Sequence, residues 1–257
     1  MKKQALVLMI GVAVLALAGC GIAATETQVP RMEPTPQADI VYEGISFSYD
    51  DALATGADAE TVPASEFMGT GETIPEHIEF TFTGYMPDNT LHQPRIYVYP
   101  VDALMNNSLA APAVAELRSR LEARPELQPN DSQPFLPLFN AAQVFTAKGA
   151  YLDFHNGSGI RYLTQFDQAF LPINNYEMFY TFQGLTDDGT YYVAAILPAT
   201  NPLLPADQTP FLEDAVFVND FPTYVSDITA QVQAADAASF TPQLWLLDSL
   251  IETLEVK

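Results

Sequence analysis

The sequence predicts an α+β fold: a single domain in which an antiparallel sheet is covered by helices. Three observations lead there. Short alternating apolar runs, separated by turn-forming residues, recur through most of the chain. Two of them, Met178–Leu185 and Thr190–Leu197, are apolar on both faces, and such strands need layers above and below. Three stretches with helical spacing, two of them late in the chain, can supply those layers. No internal repeat or interdomain linker interrupts the pattern.

Val41–Tyr49 alternates, with Ile45, Phe47 and Tyr49 on one face, and predicts a strand. Residues 50–76 are small, acidic and glycine-rich, with at most a short strand near 60–63. His77–Thr83 and Arg95–Pro100 are expected to pair as a hairpin through Pro87-Asp88-Asn89. Pro112–Arg124 predicts a helix, with proline in its first turn and a stripe of Val114, Leu117 and Leu121. Glu116 with Arg120 and Arg118 with Glu122 are favourable four-residue pairs. Arg118, Arg120 and Arg124 form either an anion site or a solvated helix face.

Pro125–Asn140 is a long proline-rich loop containing Phe135, Leu136, Leu138 and Phe139. Apolar side chains of that size should not stand in water. Either they fold back over the core or Phe135 and Phe139 are the lip of a binding site, since long loops in compact domains are often functional.

Two hairpins follow. Tyr151–His155 and Ile160–Phe166 flank Asn156-Gly157-Ser158-Gly159, read as the turn. Arg161 interrupts an apolar strand; if buried it needs a carboxylate, with Asp153 or Glu177 the expected partner. Asp187-Asp188-Gly189 closes the second hairpin. It lacks the long alternating carboxylate loop of calcium hands. A second proline-rich loop (Pro198, Pro202, Pro205, Pro210) leads to a helix over Pro222–Ala238, with Tyr224, Ile228 and Val232 inward. The last helix is expected to start from Thr241 as N-cap and Pro242, with Leu244, Leu247, Ile251 and Leu254 as its stripe and Trp245 in the core.

Motifs for chemistry are lacking. His155 lies near Asp153 and Ser158, but Asn156–Ile160 has no Gly-x-Ser-x-Gly frame. His77, His92 and His155 have no metal-ligand spacing. No catalytic, cofactor-binding or metal residue is assigned, and no cofactor is expected.

The chain carries 32 acidic and 10 basic residues, for a net charge of −22. Such a surface repels phosphate backbones and anionic lipid headgroups, which argues against nucleic acid as a partner. It suits solubility, or the gathering of cationic partners.

The first residues set the expected address. Lys2 and Lys3 precede an apolar run, Ala5–Ala18, that is shorter than the roughly 20 residues of a membrane span. The run closes on Leu17-Ala18-Gly19-Cys20, and Cys20 is the one cysteine of the chain. This arrangement resembles the signal peptide and lipobox of bacterial lipoproteins. The resemblance implies cleavage before Cys20 and acylation of its thiol, hence a membrane anchor on the exported side of the cell membrane or envelope. Two or more acyl chains would make that anchor stable. It divides the chain into a signal peptide (1–19), an extended tether with Pro30, Pro34 and Pro36 (20–39) and one acidic domain (40–257) without an internal disulfide.

Within the domain, Tyr42–Tyr49 and Phe240–Val256 resemble the two ends of PsbP-like domains, which implies an α/β/α sandwich. Arg161–Gln165 and Tyr180–Gly189 resemble uncharacterised bacterial lipoproteins. The resemblances imply an exported lipoprotein and add no reaction. The loop aromatics Phe135 and Phe139, the lack of catalytic motifs and the anchor point to a non-catalytic binding or accessory module, with an envelope protein, peptide or small molecule as ligand. The alternative from another class is an envelope hydrolase with a dispersed acidic site.

Overall fold

The computed structural model describes residues 39–209 and 220–257. Cys20, the signal peptide, the tether up to residue 38 and Pro210 lie outside them. Seven strands form the main antiparallel sheet, in the spatial order β3 (Gly56–Val62), β6 (His77–Thr83), β7 (Arg95–Pro100), β11 (Tyr191–Pro198), β10 (Phe179–Thr186), β9 (Gly157–Asp167) and β8 (Ala142–Phe154). A three-stranded sheet joins β1 (Ile40–Tyr42), β2 (Ile45–Phe47) and β12 (Glu255–Val256), and β4 (Ser65–Glu66) with β5 (Thr73–Ile74) makes a small hairpin. The helices are α1 (Val101–Met105), α2 (Ala111–Ala123), α3 (Phe221–Ala234) and α4 (Leu244–Glu252).

The result is the α+β domain with an antiparallel sheet covered by helices. Side chains alternate across the main sheet and build two cores. On one face Phe80, Phe82, Val98, Leu163, Tyr180, Phe182 and Val193 pack beneath α3, α4 and the small sheet. On the other Tyr97, Tyr99, Ile160, Tyr162, Phe179, Tyr192 and Ile196 pack beneath α1, α2 and the proline-rich loop. All of β10 is buried, as is β11 beyond Tyr191, which accounts for their lack of alternation. Each large apolar side chain so buried contributes about 1.5–3 kcal/mol.

Several boundaries differ from the sequence reading, each for a local reason. Val41–Tyr49 is not one strand but the hairpin of β1 and β2, because Glu43 and Gly44 take positive φ (47° and 82°) and reverse the chain. Among the glycines expected to make the β8–β9 turn, Gly157 and Gly159 instead lie inside β9; the turn is His155-Asn156. A Cβ on Gly159 would stand 2.5 Å from Gln183 O and inside the Phe182 ring, so this position is reserved for an aromatic ring lying on the sheet. β8 starts at Ala142, nine residues before the expected strand. Thr241 is no helix cap: its backbone bonds Thr200 in both directions (2.9 and 3.0 Å), and the N-cap of α4 is Gln243. α3 stops at Ala234, four residues early, where Asp236 caps a 3-10 turn by accepting from Ala238 N. Trp245 is 51% exposed, since Leu244, Leu247, Leu250 and Ile251 turn the buried side of α4 away from it.

Candidate binding groove

Around Phe135, two buried side chains of the sheet hold the loop over 125–140. Gln183, fully buried on β10, accepts from Leu136 N through Oε1 (2.9 Å) and donates to Leu136 O through Nε2 (2.9 Å). Its remaining bonds, from Tyr192 Oη (2.6 Å) and to Thr181 Oγ1 (2.8 Å), hold the amide in that orientation. One strand further along, Tyr162 Oη donates to Pro134 O (2.8 Å). These bonds satisfy backbone groups that a buried loop would otherwise leave unpaired.

So held, the loop brings Phe135 and Phe139 together and against the sheet. Their rings lie 5.0 Å apart, and Phe166 of β9 stands 4.4 Å from Phe135 and 5.3 Å from Phe139. His92 stacks parallel on Phe139 at 5.4 Å, edge-on to Phe179 at 4.6 Å. Burial pushes the His92 imidazole down to about 4. The three phenylalanines are only partly covered. With Leu138, Leu109, Pro112 and Ala113 they line an open groove of about 570 Å³ between α2 and the loop. Arg120 lines it too, fixed by Glu116 (2.6 Å) and Ser132 O (3.2 Å). Volume and lining fall in the range of sites that hold small molecules or short peptide segments. Leu136 is core, and Phe135 and Phe139 pack on the core with one side and border the open groove with the other.

Other residues singled out in the sequence are placed elsewhere. Arg161 does not pair with Asp153 or Glu177; it meets Asp248 of α4 (3.2 Å) and donates to Lys148 O. Asp153 pairs instead with Arg124 (3.2 Å), and Arg118 faces the Asp187-Asp188-Gly189 turn across a separate open cleft. That turn is a true reversal: Gly189 N donates to Thr186 O (2.8 Å), and Asp188 accepts from Thr186 Oγ1 (2.6 Å) and Thr190 N (2.9 Å). The Thr186 hydroxyl, with the Thr190 bonds, lowers the Asp188 carboxyl. Among the described residues no hydrogen bond joins His155 to Ser158 or Asp153, and no cluster of three or more His, Cys, Asp or Glu is set to hold a metal ion. His77 spends both ring nitrogens, on Pro75 O (2.8 Å) and on Glu79 (3.1 Å).

One buried acid pair was not foreseen. Asp167 at the end of β9 and Glu177 before β10 share the Gln165 amide, whose Nε2 lies 2.7 Å from Asp167 and 2.9 Å from Glu177. Asn174 Nδ2 donates to Glu177 as well (3.0 Å). Burial pushes the Asp167 carboxyl up to about 7, with the Glu177 charge adding to the rise. Through these amides, and a further bond from Gln165 Nε2 to Pro172 O (3.1 Å), the pair fastens the connection between β9 and β10. No family model, curated protein or solved structure matches the chain.

Proposed function

We propose that this chain is an exported lipoprotein, anchored through Cys20, whose folded domain is a non-catalytic binding module with its ligand in the groove beside Phe135 and Phe139. The anchor rests on the Lys2-Lys3 start, the short apolar run and Leu17-Ala18-Gly19-Cys20. The observation that carries the binding reading is the Gln183 clamp, a buried four-bond amide that holds a loop with half-covered aromatic rings against an open groove. A loop needed only as a lid on the core could bury those rings fully.

Two measurements test this. Cys20→Ser is expected to abolish incorporation of labelled fatty acid and to release the protein from membranes; a serine variant still acylated refutes the anchor. For the groove, the full-length protein is screened by thermal shift against sugars, peptides and lipids. A ligand at a hundred times its Kd adds about 2.7 kcal/mol, several degrees for a domain of this size. Phe139→Ala and, at the 44%-exposed rim, Leu109→Glu should each remove the shift, the second without loss of basal stability. An equal shift in both variants and the wild type places the ligand elsewhere.

A further inference from the structure

The two edges of the main sheet are treated differently. At β8 the edge is blunted: the ladder shifts register between Gln143 and Phe145 and again between Ala147 and Ala150, where Lys148 takes a φ of 58°. The proline-rich loop covers what remains, with Asn130 N donating to Thr146 O (2.9 Å) and Thr146 Oγ1 to Asp131 O (2.8 Å). At β3 none of this is present among the described residues. The strand keeps an unbroken register with β6 from Gly56↔Thr83 to Val62↔His77. It contains no proline, and among the described residues its backbone makes no hydrogen bond beyond β6. A long, regular, uncovered edge is a template for another strand.

Charge says which kind of strand. Asp58 and Glu60 project from β3 on one face, both exposed, and neither has an ion-pair partner among the described residues. Glu79, the next carboxylate inward on that face, is already met by Arg95 (3.0 Å) and His77 (3.1 Å). The opposite face is already used by the domain, with Ala57 and Ala59 packed on the core and Thr61 Oγ1 3.2 Å from Tyr42 Oη, so the in-plane backbone edge and the acidic face are what remain for a partner. A second copy of this chain is a poor occupant, since antiparallel pairing about Ala59 would set Asp58 against Glu60 of the copy, and like charges directly opposite repel. From this we infer that β3 is a docking edge for an extended peptide segment of a partner protein, with Lys or Arg at alternate positions facing Asp58 and Glu60. Backbone bonds would supply the attachment and the acidic pair the selection. This edge lies at the far end of the sheet from the groove and does not depend on it.

The test uses full-length protein and a synthetic peptide alternating valine and lysine, with a control alternating proline and lysine that has equal charge and cannot form a ladder. Binding of the first and not the second is expected, with slowed hydrogen exchange of amides in β3. Reversing both charges (Asp58→Lys with Glu60→Lys) should weaken the lysine peptide by roughly tenfold and favour its glutamate counterpart. Both positions are exposed, so the fold should persist. Equal binding of the proline control, indifference to charge reversal, or absence of protection in β3 overturns the inference. So does a β3 already protected in the free protein, by its own tether or by a second copy.

Discussion

Asp248→Ala should destabilise the domain by about 3–5 kcal/mol, the cost of leaving a largely buried charge without its partner. Arg161 stands on the apolar face of β9 with its side chain 18% exposed, and Asp248 on α4 is 22% exposed. The same carboxylate accepts from Tyr180 Oη (2.9 Å), so the alanine strands a second buried polar group. Burial raises the Asp248 carboxyl while Arg161 opposes the rise, so here attraction and desolvation work against each other. Denaturant melts should separate the parts. Asp248→Asn keeps an acceptor for Tyr180 and loses only the charge, and Tyr180→Phe should cost about 1 kcal/mol. Replacing Arg161 and Asp248 together by methionine and leucine should recover most of the loss, because an apolar pair needs no compensation. If Asp248→Ala falls within 1 kcal/mol of the wild type, Arg161 is not held by this pair.

That pair also shows why part of the structure was legible in the sequence and part was not. Local pattern carries local structure: the large apolar residues on both faces of β10 and β11, the Val114 and Leu117 stripe of α2 and the Asp187-Asp188-Gly189 turn are written in neighbouring residues. The need of Arg161 for a carboxylate was equally readable, but the partner lies 87 positions away and is chosen by how α4 crosses the sheet, which no short-range pattern encodes. The turn at Glu43-Gly44 was hidden because glutamate rarely takes positive φ. Gly157 and Gly159 misled in the other direction. Turn-forming by composition, they serve here as room for Phe154 and Phe182.

The groove divides in the same way. Phe135 and Phe139 stood out as apolar residues in a polar, proline-rich loop. Phe166 and Arg120 joined them only through strand pairing and helix docking. Gln183 was overlooked although its signal was present: a lone amide in a strand buried on both faces must find partners, and the nearest unpaired backbone was the loop. Asp167 and Glu177 could be read separately as loop-edge acids, but their meeting depends on the path of the connection between β9 and β10.

Asp167→Asn is expected to stabilise the domain at pH 8 and to have little effect at pH 4. The native carboxyl titrates near 7, against about 3.9 in the unfolded chain, because burial and then the Glu177 charge disfavour its ionised form. Between those values the native state keeps a proton that the unfolded state has lost, so this group lowers stability as pH rises from about 4 to about 7. At 1.36 kcal/mol per unit, the loss approaches about 4 kcal/mol above pH 7. His92 contributes the opposite slope. Its native value near 4 lies below the ordinary 6.5, so the unfolded state binds the extra proton and stability rises with pH across that interval, by up to about 3 kcal/mol. The two slopes offset each other between about pH 4 and 6.5, and Asp167 alone remains above. Variant-minus-wild-type stabilities against pH remove the background of the other carboxylates. Asp167→Asn should gain progressively from pH 4 to 7 and then level off, whereas His92→Phe should gain toward acid and level off above 6.5. An asparagine variant whose difference from the wild type is the same at pH 4 and pH 8 would show that the Asp167 carboxyl binds its proton equally well in the folded and unfolded states, and would remove the pair as a source of pH dependence.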